Sequence, residues 1–231
     1  MTDTLLFVAL PYVALCLFLG GSIHRYVTGG YTVSSLSSQF LESNRLYWGS
    51  LAFHGGILAL VAGHLLGFLF PAAIGSLTRH PVGRFAVEMT GLTMGLVALV
   101  GITALILRRL LSNSLRVVTT TMDYVVFSLI LLQVVLGVLV AIQHRWGTAW
   151  YTSTLVPYLQ SILTFRPDLK LVIPMPFLIK FHVAAAFVIV AMVPFTRLMH
   201  ILVAPMPYLW RAVQIAIWYR KPGGSAAKSG Q

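Results

Sequence analysis

Five stretches of this 231-residue chain, roughly 5–23, 48–70, 85–107, 121–142 and 178–202, are apolar over the length a membrane crossing needs. A helix takes about 20 residues to cross the ~30 Å hydrocarbon core of a bilayer. Inside that core no water is present to bond a bare amide, so each stretch must satisfy its own backbone as a helix. The expectation is an all-α integral membrane protein: a five-transmembrane-helix bundle forming one domain over 1–231. Composition agrees, because 58% hydrophobic and 9% charged residues leave too little polar surface for a soluble domain of this size.

The first stretch follows an acidic MTD and lacks an A-x-A-like cleavage site, so it is expected to be a retained helix rather than a signal peptide. Cys16 is the single cysteine, which excludes disulfides, Cys-ligated iron–sulfur clusters, C-x-x-C-H haem attachment and Cys-based zinc sites. The net charge of +11 resides in short connections and the tail, where lipid headgroups and partner surfaces are the expected counter-charges rather than nucleic acid. With the N-terminus outside, the inner segments hold ten Lys and Arg and the outer segments six, so the positive-inside rule favours N-out and C-in. Trp48, Trp146, Trp150 and Trp210 fall near the expected span ends. Residues 205–221 are basic and amphipathic and are expected along the inner surface, with 203–231 as a whole a cytoplasmic segment and tail.

Seven histidines are present, and four of them, His54, His64, His182 and His200, fall within the second and fifth stretches. Intramembrane ionisable groups are costly and need partners, so these side chains either bond across helices, form a proton or ion path, or ligate a metal group. Buried acids, which a proton pump would need, are scarce: Glu88 and Asp123 lie close to expected span ends. Neutral imidazole is a good axial ligand for haem iron, and a bundle core can supply one from each of two facing helices. Because the second and fifth stretches run antiparallel, His54 shares a depth with His200, and His64 with His182.

At 1.5 Å per residue the ten-residue step covers about 15 Å and the eighteen-residue step about 27 Å, enough for two haems at different depths. The faces match imperfectly, with an offset of roughly 80° for the ten-residue step. A kink expected at Pro194 supplies some of the adjustment. Gly55, Gly56, Gly63 and Gly67 remove side chains beside the second stretch's histidines, which would admit a porphyrin or simply another helix. Arg108, Arg109 and Arg197 are candidates for the inner haem's propionates, against interfacial snorkelling as the plain alternative.

The motifs "GSIHRY", "SSQFLE", "FHGGILALVAGHLLG", "RRLLSNSLRVVTTTMD", "LQVVLGVL", "SILTF" and "PFTRLMHILVAPMPYL" occur in an order and spacing that resemble the gamma, cytochrome b subunit of membrane-bound respiratory nitrate reductase. The resemblance covers nearly the whole chain. It implies two haems b: an inner one held by His54 and His200, an outer one by His64 and His182. It also implies quinol (menaquinol or ubiquinol) oxidised near the outer haem, and cytoplasmic partners: an iron–sulfur beta subunit and a molybdenum-containing alpha subunit.

The basic residue that this family places before its third helix matches Arg84, with His64 and Gly63 as the other quinol-site candidates. Its best-known members carry lysine there, so the arginine here suits positioning better than proton loss. His64 would add its second ring nitrogen to the quinol site, and Arg109 matches a position near the inner propionates. The implied location is a bacterial or archaeal cytoplasmic membrane. Other respiratory cytochromes b, of the formate dehydrogenase or hydrogenase type, a free-standing electron carrier, and a non-haem proton or ion transporter are the competing readings.

Overall fold

The computed structural model describes residues 2–29, 44–117, 119–144 and 147–202. The expected amphipathic segment 205–221, the tail, Trp146 and Trp210 lie outside them. Among the described residues no strand occurs, and five helices are long and apolar enough to cross a membrane: Thr2–Thr28, Trp48–Leu69, Pro81–Leu111, Thr121–Gln143 and Phe177–Phe195. The five expected stretches are therefore five helices.

The first crossing is mainly α1 (Leu10–Gly29), preceded by a π turn over Leu5–Ala9. The second is α2 (Asn44–Leu69). Pro71 then opens α3 (Pro71–Arg79) and Pro81 opens α4 (Pro81–Leu111), each proline in a first turn where its missing N–H loses no helical bond. This early start corrects the expected boundary at 85: Arg84 stands in the first turn of α4, not in a connection. A short α5 (Asn113–Val117) leads to α6 (Thr121–Gln143). The Thr120 side chain accepts from the Asp123 amide, and the Asp123 carboxylate accepts from the Thr120 amide, closing a capping box.

The connection 143–177, read from sequence as a long loop, folds into packed turns and α7 (Val156–Leu163). Tyr158 in α7 is fully buried, and its hydroxyl donates to the Phe7 carbonyl over 2.8 Å. Together with Leu155, Ile162, Val172, Met175, Ile179 and Val183 these residues build a buried apolar cluster, at the end of the bundle that carries Thr2. We call this the N-terminal end. Burial holds the Tyr158 hydroxyl in its protonated form by raising its pKa.

The last crossing departs from expectation. Its helix, α8 (Phe177–Met192), stops at Met192 rather than reaching 202. Pro194 cannot donate to the helical ladder and its ring crowds the preceding turn. The chain passes instead through two 3-10 turns, Val193–Phe195 and Arg197–Ile201, with Thr196 extended between them. His200 rides on the second turn.

Packing follows an arc in which α2 lies against α4, α4 against α6, α6 against α8, and α8 against α1. Three glycines bring α2 and α4 together. A Cβ on Gly56 would lie 2.7 Å from the Ala98 amide nitrogen and the Met94 carbonyl, one on Gly101 would run into the Phe53 backbone, and one on Gly49 would meet Ala104 at 3.4 Å. That antiparallel register puts His54 level with Val100 and His64 level with Thr90. No extensive packing joins α2 to α8, so the two histidine-bearing segments stand apart.

Candidate functional site

The structure brings His54 and His200 together as their depths required, with ring centroids 6.3 Å apart. Two imidazoles on opposite sides of one metal, each bonded at about 2 Å, would place their ring centroids roughly 6 Å apart. Both rings are exposed, in keeping with the separation of α2 from the last segment. His54 Nδ1 lies 2.9 Å from the Ser50 carbonyl oxygen, and the Ser50 hydroxyl is 3.2 Å away. His200 Nδ1 lies 2.7 Å from the Arg197 carbonyl oxygen. A carbonyl oxygen can only accept, so in each ring Nδ1 carries the hydrogen and Nε2 keeps the lone pair. An imidazole tethered in this way through one nitrogen presents the other as a metal ligand.

At the N-terminal end His64 follows the same rule, its Nδ1 donating to the Leu60 carbonyl over 2.8 Å. That carbonyl takes the hydrogen which the sequence reading offered to quinol. His182 lies close enough to His64 for the rings to interact electrostatically. It packs against the bare backbone of Gly137, where a Cβ would meet its Cε1 at 3.1 Å. Its Nε2 is 3.4 Å from the Gln133 amide nitrogen. Its Nδ1 and the Gln133 Oε1 are both buried without a partner. Buried polar atoms rarely stay unpaired unless something else completes the site.

Open space adjoins His64, because a Cβ on the neighbouring Gly63 would meet no atom within 4 Å. The His54–His200 pair therefore fits a bis-imidazole site, and His64 and His182 offer a second pair of imidazoles at the other depth. Among the described residues no cluster of three or more His, Cys, Asp or Glu offers an alternative metal centre.

Tyr151, invisible to the sequence reading, covers His64. Its ring meets the His64 ring edge-on at 5.5 Å, its hydroxyl donates to the His64 carbonyl over 2.8 Å, and it fills the hollow left by Gly67. Burial pushes its phenol up to about 12, so it remains a neutral donor. Nearby, Arg84 lines a cavity of about 240 Å³ with Gly75, Thr78, Arg79, Ala149 and Thr152. The α2–α4 register sets Arg84 level with Phe70, six residues from His64 and so roughly 9 Å along the axis. Glu88, one turn after Arg84, has its Oε1 buried without a partner.

At the opposite end the propionate candidates separate into two kinds. Arg197 Nε is 3.1 Å from the Asp123 carboxylate, whose side chain is buried. Arg109 lies 5.0 Å over the Phe127 ring centroid, within electrostatic reach of Asp123, Arg197 and Arg108. Asp123, noted from sequence only as a residue near a span end, is thus the carboxylate around which these cations gather. Nothing local in "TTTMD" announces a partner 74 residues away.

Comparison with known proteins gives this geometry a context. A family model described as nitrate reductase gamma subunit matches residues 3–219. The nitrate reductase gamma chain of Bacillus subtilis (strain 168) is 33% identical over 226 residues, covering 96% of this chain and 99% of that one. The respiratory nitrate reductase 1 gamma chain of Escherichia coli (strain K12) is 33% identical over 214 residues, covering 89% and 92%. The respiratory nitrate reductase 2 gamma chain of the same organism is 32% identical over 208 residues. Five apolar crossings and a match that runs through all four histidines lead to one conclusion: the chain belongs to the nitrate reductase gamma subunit family, as a multi-pass membrane component of an oxidoreductase complex.

Proposed function

We propose that this chain is the dihaem b, quinol-oxidising subunit of a respiratory nitrate reductase. Its N-terminal end faces the periplasm and its C-terminus the cytoplasm, where an iron–sulfur beta subunit and a molybdenum-containing alpha subunit dock. The observation that carries the reading is the His54–His200 pair, two rings 6.3 Å apart with each Nδ1 tied to backbone and each Nε2 left with its lone pair.

His54 and His200 hold the inner haem, and His64 and His182 the outer one. When bound, the haems supply one-electron carriers at two depths, which lets a two-electron donor at the outer face discharge stepwise toward the cytoplasmic partner. Quinol lies between His64 and Arg84 and extends toward the cavity that Arg84 lines. The Arg84 guanidinium donates to a quinol oxygen and orients it. Glu88, one turn further along α4, is the carboxylate that accepts a quinol proton at Oε1 before the proton leaves outward. Gly63 keeps the backbone beside His64 open to a ring. Tyr151 fixes the His64 backbone and shields that ring.

The test is a reduced-minus-oxidised spectrum of the purified membrane complex, with haem extracted and counted per chain and a quinol analogue as reductant. The expected result is two b haems per chain, reduced by quinol and reoxidised by nitrate. A correctly folded, colourless complex would overturn the reading and leave the histidines as a proton or ion path.

A further inference from the structure

His200 stands on a 3-10 turn that no continuous helix supports, because α8 ends at Met192. Two other helices hold that turn. From α1, the Arg25 Nη1 donates to the carbonyls of Pro194 and Thr196, each over 2.9 Å, at the point where the helical ladder is broken. From α6, the buried Asp123 carboxylate takes the Arg197 Nε at 3.1 Å. The other carboxylate oxygen of Asp123 accepts from the Thr120 backbone amide over 2.9 Å, a bond that does not involve the Thr120 side chain. Arg197 then closes the path, since its carbonyl accepts the Nδ1 hydrogen of His200 over 2.7 Å. The Arg25 and Asp123 contacts join residues far apart in sequence, whereas the His200 tether is local.

We propose that Asp123 is a positioning residue for the inner ligand His200, acting through Arg197, and that its charge sets the potential at the inner site. The inference rests on the dihaem reading. Its electrostatic part follows from the company Asp123 keeps, because Arg197 is paired with it and Arg109 lies within electrostatic reach of both. With the carboxylate removed, the net local charge becomes more positive and the reduced, more negative state of the inner site gains stability. A unit charge at roughly 10 Å and an effective dielectric of about 20 changes such an equilibrium on the order of tenfold.

The experiment uses the whole complex with D123N, which removes the charge but keeps an amide oxygen for the cap, and with T120A, which removes the Thr120 side of the cap alone. Redox titration of the wild-type complex should resolve two b haems. D123N should raise the potential of the inner haem on the order of tenfold in its equilibrium constant, about 59 mV for one electron, and leave the outer haem where it was. Loss of the inner haem alone would equally support positioning. T120A should leave both potentials unchanged.

A D123N complex with neither haem shifted, or both shifted alike, would overturn the proposal, as would T120A reproducing the D123N effect. A wild-type complex lacking two haems would overturn the dihaem reading itself, and is told apart because it shows before any substitution.

Discussion

Replacing Gly56 with alanine tests whether the α2–α4 contact sets the spacing of the histidines. The new Cβ would lie 2.7 Å from the Ala98 amide nitrogen and the Met94 carbonyl and 2.9 Å from the Ala98 Cβ. Comfortable separations are about 3.5–4.0 Å. The first two obstacles are backbone atoms of a helix, which cannot rotate aside as a side chain does. The helices must therefore part by roughly 0.8 Å, and overpacking of that kind costs about 1–3 kcal/mol. Phe53, which meets Gly101 in the same interface, precedes His54, so the displacement reaches the proposed inner ligand.

The control is Gly91→Ala on α4, where a Cβ meets nothing within 4 Å and the packing cost should be near zero. Thermal unfolding in detergent and haem content per chain are the readouts. Gly56→Ala should unfold at lower temperature and retain less haem than Gly91→Ala. Equal behaviour of the two variants would refute the claim that the glycine contact sets the α2–α4 distance.

Other outcomes follow from the site. His182→Ala and His64→Ala should each lose the outer haem and quinol oxidation while keeping one haem per chain, and His54→Ala or His200→Ala should lose the inner haem; a haem count on each variant checks this. Tyr151, whose phenol is pushed up to about 12 in the fold, releases its proton earlier when unfolded. Its contribution is therefore complete below about pH 10 and lost as pH climbs from 10 toward 12. Alkaline unfolding curves of Tyr151→Phe should lack that fall and show instead a constant loss of about 1 kcal/mol from the missing bond to the His64 carbonyl. Glu88→Gln should slow quinol-driven nitrate reduction about 100-fold with haem content unchanged, and unaltered turnover would remove Glu88 from proton transfer.

The helical architecture was legible because hydrocarbon forces it. Residues 48–70 are apolar for longer than a bilayer is thick, and a helix is the way such a segment satisfies its backbone. The pairing of His54 with His200 was legible for a related reason: antiparallel crossings and a fixed rise per residue set depth from position alone. The end of the last helix was less so. Pro194 announced a disturbance, but whether a proline bends a helix or ends it depends on what receives the released carbonyls, and here Arg25 does.

Tyr151 was missed because it sits in a connection without periodicity or motif, and its role comes from Gly67 and His64 across the fold. The Asp123–Arg197 pair was hidden for the same reason. From sequence alone came the membrane, the number of crossings, their direction relative to one another, and the depth at which each imidazole stands, all consequences of local helix geometry in an apolar solvent. Tertiary structure alone decided which backbone carbonyl tethers each ring, which tyrosine covers His64, and which carboxylate pairs with Arg197. Those contacts are made by residues far apart in the chain, and their partners become definite only when the helices pack.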